Sequence, residues 1–327
     1  MTCGYRGLLL AATLTYAACA VWAQAEPASP GRTTTSNPSG AFSLGGDDNN
    51  KPINIEAEKG VEWQQNNRVY IARGNAKATR GQTSVTADTL YAYYRPTQAG
   101  TSTAAAGAQG KQSSGAGDGS NQIYRIEADG NVVFATPTQN AYGDHAVYDM
   151  DQTVLVLTGK NLKIVTPQDI VTARDSLEWY DQKQLGVARG DAVAVRQGPA
   201  RKMIRGDVLV AEISKPANQP SKISKIDAQG HVVLTSLDEI AHGDSAVYNL
   251  DTGIATLAGQ VSLTKGENEL RGQYGIVDTN NNVARLLSAP PSTQVTGGPP
   301  PRVEGLLVPP PHDQAAGTKP QSNATKP

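Results

Sequence analysis

"AYGDHAVYD" at Ala141–Asp149 and "AHGDSAVYN" at Ala241–Asn249 are nearly the same nine residues written a hundred positions apart. The likeness runs upstream without a gap, since "IEADGNVV" at Ile126–Val133 faces "IDAQGHVV" at Ile226–Val233. A second register sets "GVEWQQNNRVYIARGNAKA" at Gly60–Ala78 against "SLEWYDQKQLGVARGDAVA" at Ser176–Ala194. Residues 53–165 and 170–286 therefore read as two copies of one unit, and self-similarity at a fixed period is the mark of a repeat architecture.

Each copy carries a shorter beat. Gly74, Gly130, Gly159, Gly190, Gly230 and Gly259 are flanked by short alternating segments, and Asp88, Asp144, Asp175, Asp207, Asp244 and Gln273 follow them in turn. Period-2 alternation rich in Val, Ile, Thr and Tyr is a β signal, and no apolar stripe of helical period survives the glycines. Around the first Gly the inward positions are Tyr70, Ala72 and Ala76; around the second, Ile126, Val132 and Phe134. The third slips by one and gives Leu155, Leu157, Leu162 and Ile164. Val232 and Leu234, then Leu257, Val261 and Leu263, continue the series. Polar residues stand between them, so one face is apolar and the other wet. The repeated Gly predicts a bulge or sharp bend. The Gly-Asp pairs at 143–144, 206–207 and 243–244 read as turn chemistry. Roughly 12–16 short antiparallel strands are expected, folded over on themselves.

The chain has 327 residues, a net charge of −1 and two Cys, at 3 and 19. Arg6, the uncharged apolar run Leu8–Trp22 and the small residues Ala23-Gln24-Ala25 read as a cleavable export signal, residues 1–25. Tyr16 spoils the lipobox that Ala17-Ala18-Cys19 would otherwise complete. With both Cys inside the signal, no disulfide framework is available to the exported part. Residues 26–50, the low-complexity insert 97–121 and the Pro-rich tail 288–327 have too few large apolar residues to offset ordering and are expected to be disordered. The folded unit is then 51–287.

The first unit, "INIEAEKGVEWQQNNRVYIARGNAKATRGQTSVTADTLYAYY", resembles the LptA/OstA family of periplasmic lipopolysaccharide-transport proteins. Ala72, Gly74, Asn75 and Ala76 carry the likeness, followed by Ala87, Asp88, Thr89, Leu90 and Tyr91. The resemblance implies a twisted, partly open antiparallel β-jellyroll with a hydrophobic slit, located in the periplasm of a Gram-negative bacterium. It implies a non-catalytic carrier that takes lipopolysaccharide from an inner-membrane-anchored LptC-like jellyroll to an outer-membrane LptD-like translocon. Head-to-tail self-association through edge strands belongs to the same picture.

On pattern alone the inward residues serve either a dry core or a lipid trough; the resemblance favours the trough for lipid A. Lys77, Arg80, Arg95, Arg189, Arg196, Arg201, Lys202 and Arg205 are basic groups that could line its rim, and Arg201, Lys202 and Arg205 form the densest set for phosphate contact. Trp63 and Trp179, at matching places, read as packing anchors. The four His do not recur between copies, and the repeated Asp lack the single special place that catalysis requires. No cofactor, metal or nucleic-acid partner is expected. A non-catalytic structural β-repeat and a carbohydrate-active β-solenoid enzyme remain as alternative readings.

Overall fold

The computed structural model describes residues 52–96, 121–198, 201–214, 221–290 and 302–308. The expected signal, the 26–50 stretch and nearly all of the 97–121 insert lie outside them. Among the described residues every element is a strand. The first copy holds β1 (Asn54–Glu56), β2 (Gly60–Gln64), β3 (Val69–Arg80), β4 (Thr83–Pro96), β5 (Asn121–Ala135), β6 (Asn140–Asp149), β7 (Val154–Thr158) and β8 (Leu162–Val165). The second holds β9 (Asp169–Ala173), β10 (Ser176–Tyr180), β11 (Leu185–Arg196), β12 (Lys202–Ser214), β13 (Lys222–Thr235), β14 (Glu239–Asn249), β15 (Ile254–Lys265), β16 (Asn268–Asp278) and β17 (Val283–Leu287). A last strand, β18 (Glu304–Leu306), falls in the tail expected to be disordered, and it pairs with β16 over Glu269–Arg271.

The strands form one antiparallel meander. Each long strand pairs with its neighbours in sequence, from β3 to β6 and from β11 to β16. Where the backbone breaks outright, one rung becomes two short strands. Thus β7 and β8 share β6, and β9 and β10 share β11. The same splitting gives β1 and β2 on β3 and β17 and β18 on β16, which accounts for 18 strands where fewer were expected.

Between the breaks the long strands bulge at the repeated Gly. Register shifts fall between Arg73 and Ala76, Asp129 and Val132, Arg189 and Ala192, Gln229 and Val232, and Ala258 and Val261. At Gly130 φ is +78° and at Asn131 +49°, two consecutive left-handed residues set into a strand. A Cβ on Gly130 would lie 2.2 Å from Asp88 Oδ2 on the preceding strand. The same relation joins Gly159 to Asp144, Gly190 to Asp175, Gly230 to Asp207 and Gly259 to Asp244. So Gly and Asp recur together because each carboxylate fills the space beside the next strand's bulge. The Gly-Asp pairs at 143–144, 206–207 and 243–244 are not turns: they lie inside β6, β12 and β14. Their Asp point to the wet face and serve this spine.

The bulges fold the sheet over. Arg196 ends β11 at one margin of the meander and Ile223 begins β13 at the other, yet Arg196 Nη2 donates to the Ile223 carbonyl at 3.1 Å. Flat strands would hold those margins roughly 30 Å apart. Two arms therefore face each other across a buried interior in a β-jellyroll, joined along the bulge spine and meeting again at a mouth.

Candidate lipid-binding interior

Alternation fixes what faces inward. Of the inward residues read from the sequence, Ala72, Ala76, Ile126, Val132, Phe134, Leu155, Leu157, Leu162, Val232, Leu234, Leu257, Val261 and Leu263 are buried in one continuous apolar cluster. Tyr70 and Ile164 are half-buried and pack against it. The cluster spans both copies without a break, from β3 to β16, and draws on both arms. Many of its members are Ala, which keeps the arms close while offering little bulk. Burying each large side chain is worth about 1.5–3 kcal/mol, so this face supplies the fold's main driving force.

An apolar cavity of about 60 Å³ lies within the second half of the interior. Val171, Leu177, Trp179, Ala194, Leu209 and Ile226 are among its lining residues, and Ile164 is another. That volume takes a short run of methylene groups. Housing whole acyl chains requires the arms to part at the mouth.

The two lips of the mouth differ. On one, the last inward positions of successive strands are Gln139, Thr166, Asp169, Arg196, Lys202, Glu239 and Lys265, all polar. On the other they include Tyr94, Trp179, Ile213, Ile223 and Tyr248, largely aromatic or aliphatic. Asp169 is 2 % exposed and receives Arg196 Nε at 2.8 Å and Nη2 at 3.0 Å. Lys202 Nζ reaches across the mouth to Thr279 Oγ1 at 2.8 Å and Asn280 Oδ1 at 2.7 Å. Burial and the nearby Arg196 charge lower the Lys202 pKa. Glu239 is 5 % exposed, its Oε2 has no hydrogen-bond partner among the described residues, and burial raises its pKa.

The three residues read as a phosphate set are not brought together. Lys202 points inward, whereas Arg205 lies on the outer face, 3.1 Å from Asp191, and Arg201 is exposed before β12 begins. Arg73 and Arg189, at matching places, pair with Glu62 and Glu178 on the outer face at 2.7 and 2.8 Å. Arg95 holds Asp151. Asp169 escaped the sequence reading. Its signal was available, because it falls on the inward register two residues before Val171. His145 meets Asp129 and His231 meets Asp207, the latter at 2.9 Å, all on the wet face. Among the described residues no group of three or more His, Cys, Asp or Glu could hold a metal.

The tryptophans separate the two copies. Trp179 is 4 % exposed, because β10 is flanked by β7 as well as β11. Trp63, its equivalent, is 51 % exposed on β2, whose other side pairs with no described strand. It stacks on Tyr70 at 5.7 Å and donates to Tyr94 Oη at 2.8 Å, closing the apolar interior with an aromatic end.

A family model described as LptA/(LptD N-terminal domain) LPS transport protein matches residues 54–175 and again 170–283. The chain belongs to the LptA/LptD N-terminal-domain family. A solved structure, LptH, the LptA homologous periplasmic component of the lipopolysaccharide transport device from Pseudomonas aeruginosa, matches at 14% identity. That match covers 80% of this chain and 99% of LptH, with a TM-score of 0.20. A search of curated proteins returned no match. Within the LptA/LptD N-terminal-domain family, then, this member carries a continuous buried apolar face with one polar lip.

Proposed function

We infer that this chain is a periplasmic lipopolysaccharide carrier that shelters the acyl chains of lipid A between its two arms and performs no catalysis. The observation that carries the reading is the unbroken apolar interior running the length of the meander, with strand edges at both ends that pair with no described strand. Membership of a lipopolysaccharide-transport family supports the cargo. Each methylene moved from water into such an interior contributes about 0.8 kcal/mol, so several acyl chains offset the cost of parting the arms.

The ends support a bridge. β2 leaves one edge free of any described strand and exposes Val61 and Trp63 beside it. At the other end β17 and β18 expose Val283 and Leu306. Unpaired edges recruit strands, and strand addition would continue both the backbone ladder and the apolar interior into a neighbour. An LptC-like jellyroll on the inner-membrane side and an LptD-like translocon on the outer side are the partners this reading assigns, with head-to-tail copies of the chain between them. The expected export signal would deliver it to the periplasm.

Native mass spectrometry of the protein purified from a Gram-negative periplasm tests the cargo. Lipopolysaccharide adducts are expected on the folded protein. A folded protein that carries none, and takes up none when it is offered, overturns the reading.

A further inference from the structure

The polar lip is not uniform. At β9, β11 and β12 it sets a second cation, Lys202, beside the Arg196–Asp169 ion pair, with Arg196 standing opposite Asp169 on one side and Lys202 on the other. Arg196 spends Nε and one Nη2 bond on Asp169 and a second Nη2 bond on the Ile223 carbonyl. Its Nη1 has no partner among the described residues. Lys202 is half-buried, and its described partners, Thr279 and Asn280, are neutral oxygens. Tyr248 Oη lies 3.2 Å from the same Thr279 hydroxyl. Asp278 acts on Lys202 through space, yet no described carboxylate hydrogen-bonds to it. A half-buried ammonium hydrogen-bonded only to neutral oxygens, beside a second cation, suits an incoming anion.

The apolar cavity begins one inward position below Arg196 and Asp169, which do not line it themselves. Val171, two residues from Asp169 on the same face, lines it; so does Ala194, two residues from Arg196. Ile223, whose carbonyl receives Arg196, lines it as well. A ligand that puts an anionic head on the lip would therefore drop its apolar portion straight into the interior.

We propose that Arg196 and Lys202 form a phosphate-binding lip of the apolar interior, where a phosphate group attached next to acyl chains is held by Arg196 Nη1 and Lys202 Nζ. The site deepens the carrier reading and rests on it. Binding replaces the neutral partners of Lys202 on the opposite lip with a charged one. The bond that spans the mouth is released as the ligand enters, so headgroup recognition and opening of the arms become one event. Depression of the Lys202 pKa by burial and by Arg196 is consistent with this, since an arriving phosphate relieves it.

The test is equilibrium binding of the full chain to three lipids: bisphosphorylated lipid A, the same lipid with both phosphates removed, and dipalmitoyl phosphatidic acid. Wild type is expected to prefer the bisphosphorylated form roughly tenfold, the scale of one charge-assisted hydrogen bond. Lys202→Gln, which can still donate to Thr279 and Asn280, should lose most of that preference while binding the phosphate-free lipid as wild type does. The pair Asp169→Asn with Arg196→Gln, which leaves no buried charge unpaired, should behave alike. Lys202-dependent binding of phosphatidic acid supports the site and widens its ligand to glycerophospholipids; failure to bind it supports the site and confines it to lipid A. Unchanged preference in the variants, or equal loss for both forms of lipid A, overturns the site. Wild type that binds both forms equally removes this lip alone. Wild type that binds no lipid removes the carrier reading with it.

Discussion

Gly130 shows how much one residue is asked to do. Its φ of +78° excludes most side chains, and the Asp88 carboxylate stands where a Cβ would go. Left-handed backbone alone costs an L-residue roughly 1–2 kcal/mol. Gly130→Ala is therefore expected to destabilise by more than that in denaturant titrations, and Asp88→Ala should remove the steric part. A double-mutant cycle reads the coupling directly. Additive effects would mean that Asp88 does not fill the bulge. Glu239 is the opposite case, a residue placed at a cost. Burial raises its carboxyl pKa above the ordinary 4.5. The folded state then binds the proton more tightly than the unfolded state, so stability falls as pH rises through the raised value. Glu239→Gln should stabilise the protein at neutral pH, and its advantage should vanish below the ordinary glutamate range. Chemical denaturation at both ends of that window decides it; a difference independent of pH contradicts the assignment.

Strands and their bulges were legible in the sequence because both depend on local chemistry. Alternation around Ile126–Phe134 or Leu257–Leu263 leaves one inward set, and a Gly that interrupts a β pattern has few other uses. The partner of each Gly was not legible. Reading Gly74 forward to Asp88 finds the period, but the contact runs from Asp88 to Gly130 across an insert, and strand pairing is what chooses it. The lip was hidden for a similar reason. Arg201, Lys202 and Arg205 are close in sequence, yet period-2 geometry throws Arg205 to the other face, while Arg196 reaches Lys202's side from the next strand. Composition also misled at the tail, where proline density masked the short β18. Its residues are all exposed, so deleting residues from 302 onward should change stability by no more than about 0.5 kcal/mol. It also bares the Glu269–Arg271 stretch of β16. Sedimentation of the truncated chain should show increased self-association. A truncated chain that stays monomeric, or that loses stability on the scale of a core mutation, contradicts the view of β18 as an edge cover.

At the scale of the whole molecule the two copies build a single interior, and no boundary interrupts it between β8 and β9. That continuity is what a lipid path requires and what two separate domains would lack. Trp63 is open where Trp179 is closed because no described strand flanks β2 on its other side, and the proposed bridge would add its strand there. The central claim is that acyl chains lie between the arms. Photo-crosslinking residues placed singly at Tyr70 and Ile164, both half-buried on the inward face, test it most directly. Lys77 and Arg189, exposed on the wet face, are the controls. In cells making lipopolysaccharide, irradiation should yield lipopolysaccharide adducts at Tyr70 and Ile164 and none at Lys77 or Arg189. Folded variants that give no adduct at the inward positions, or equal labelling on both faces, would contradict the account.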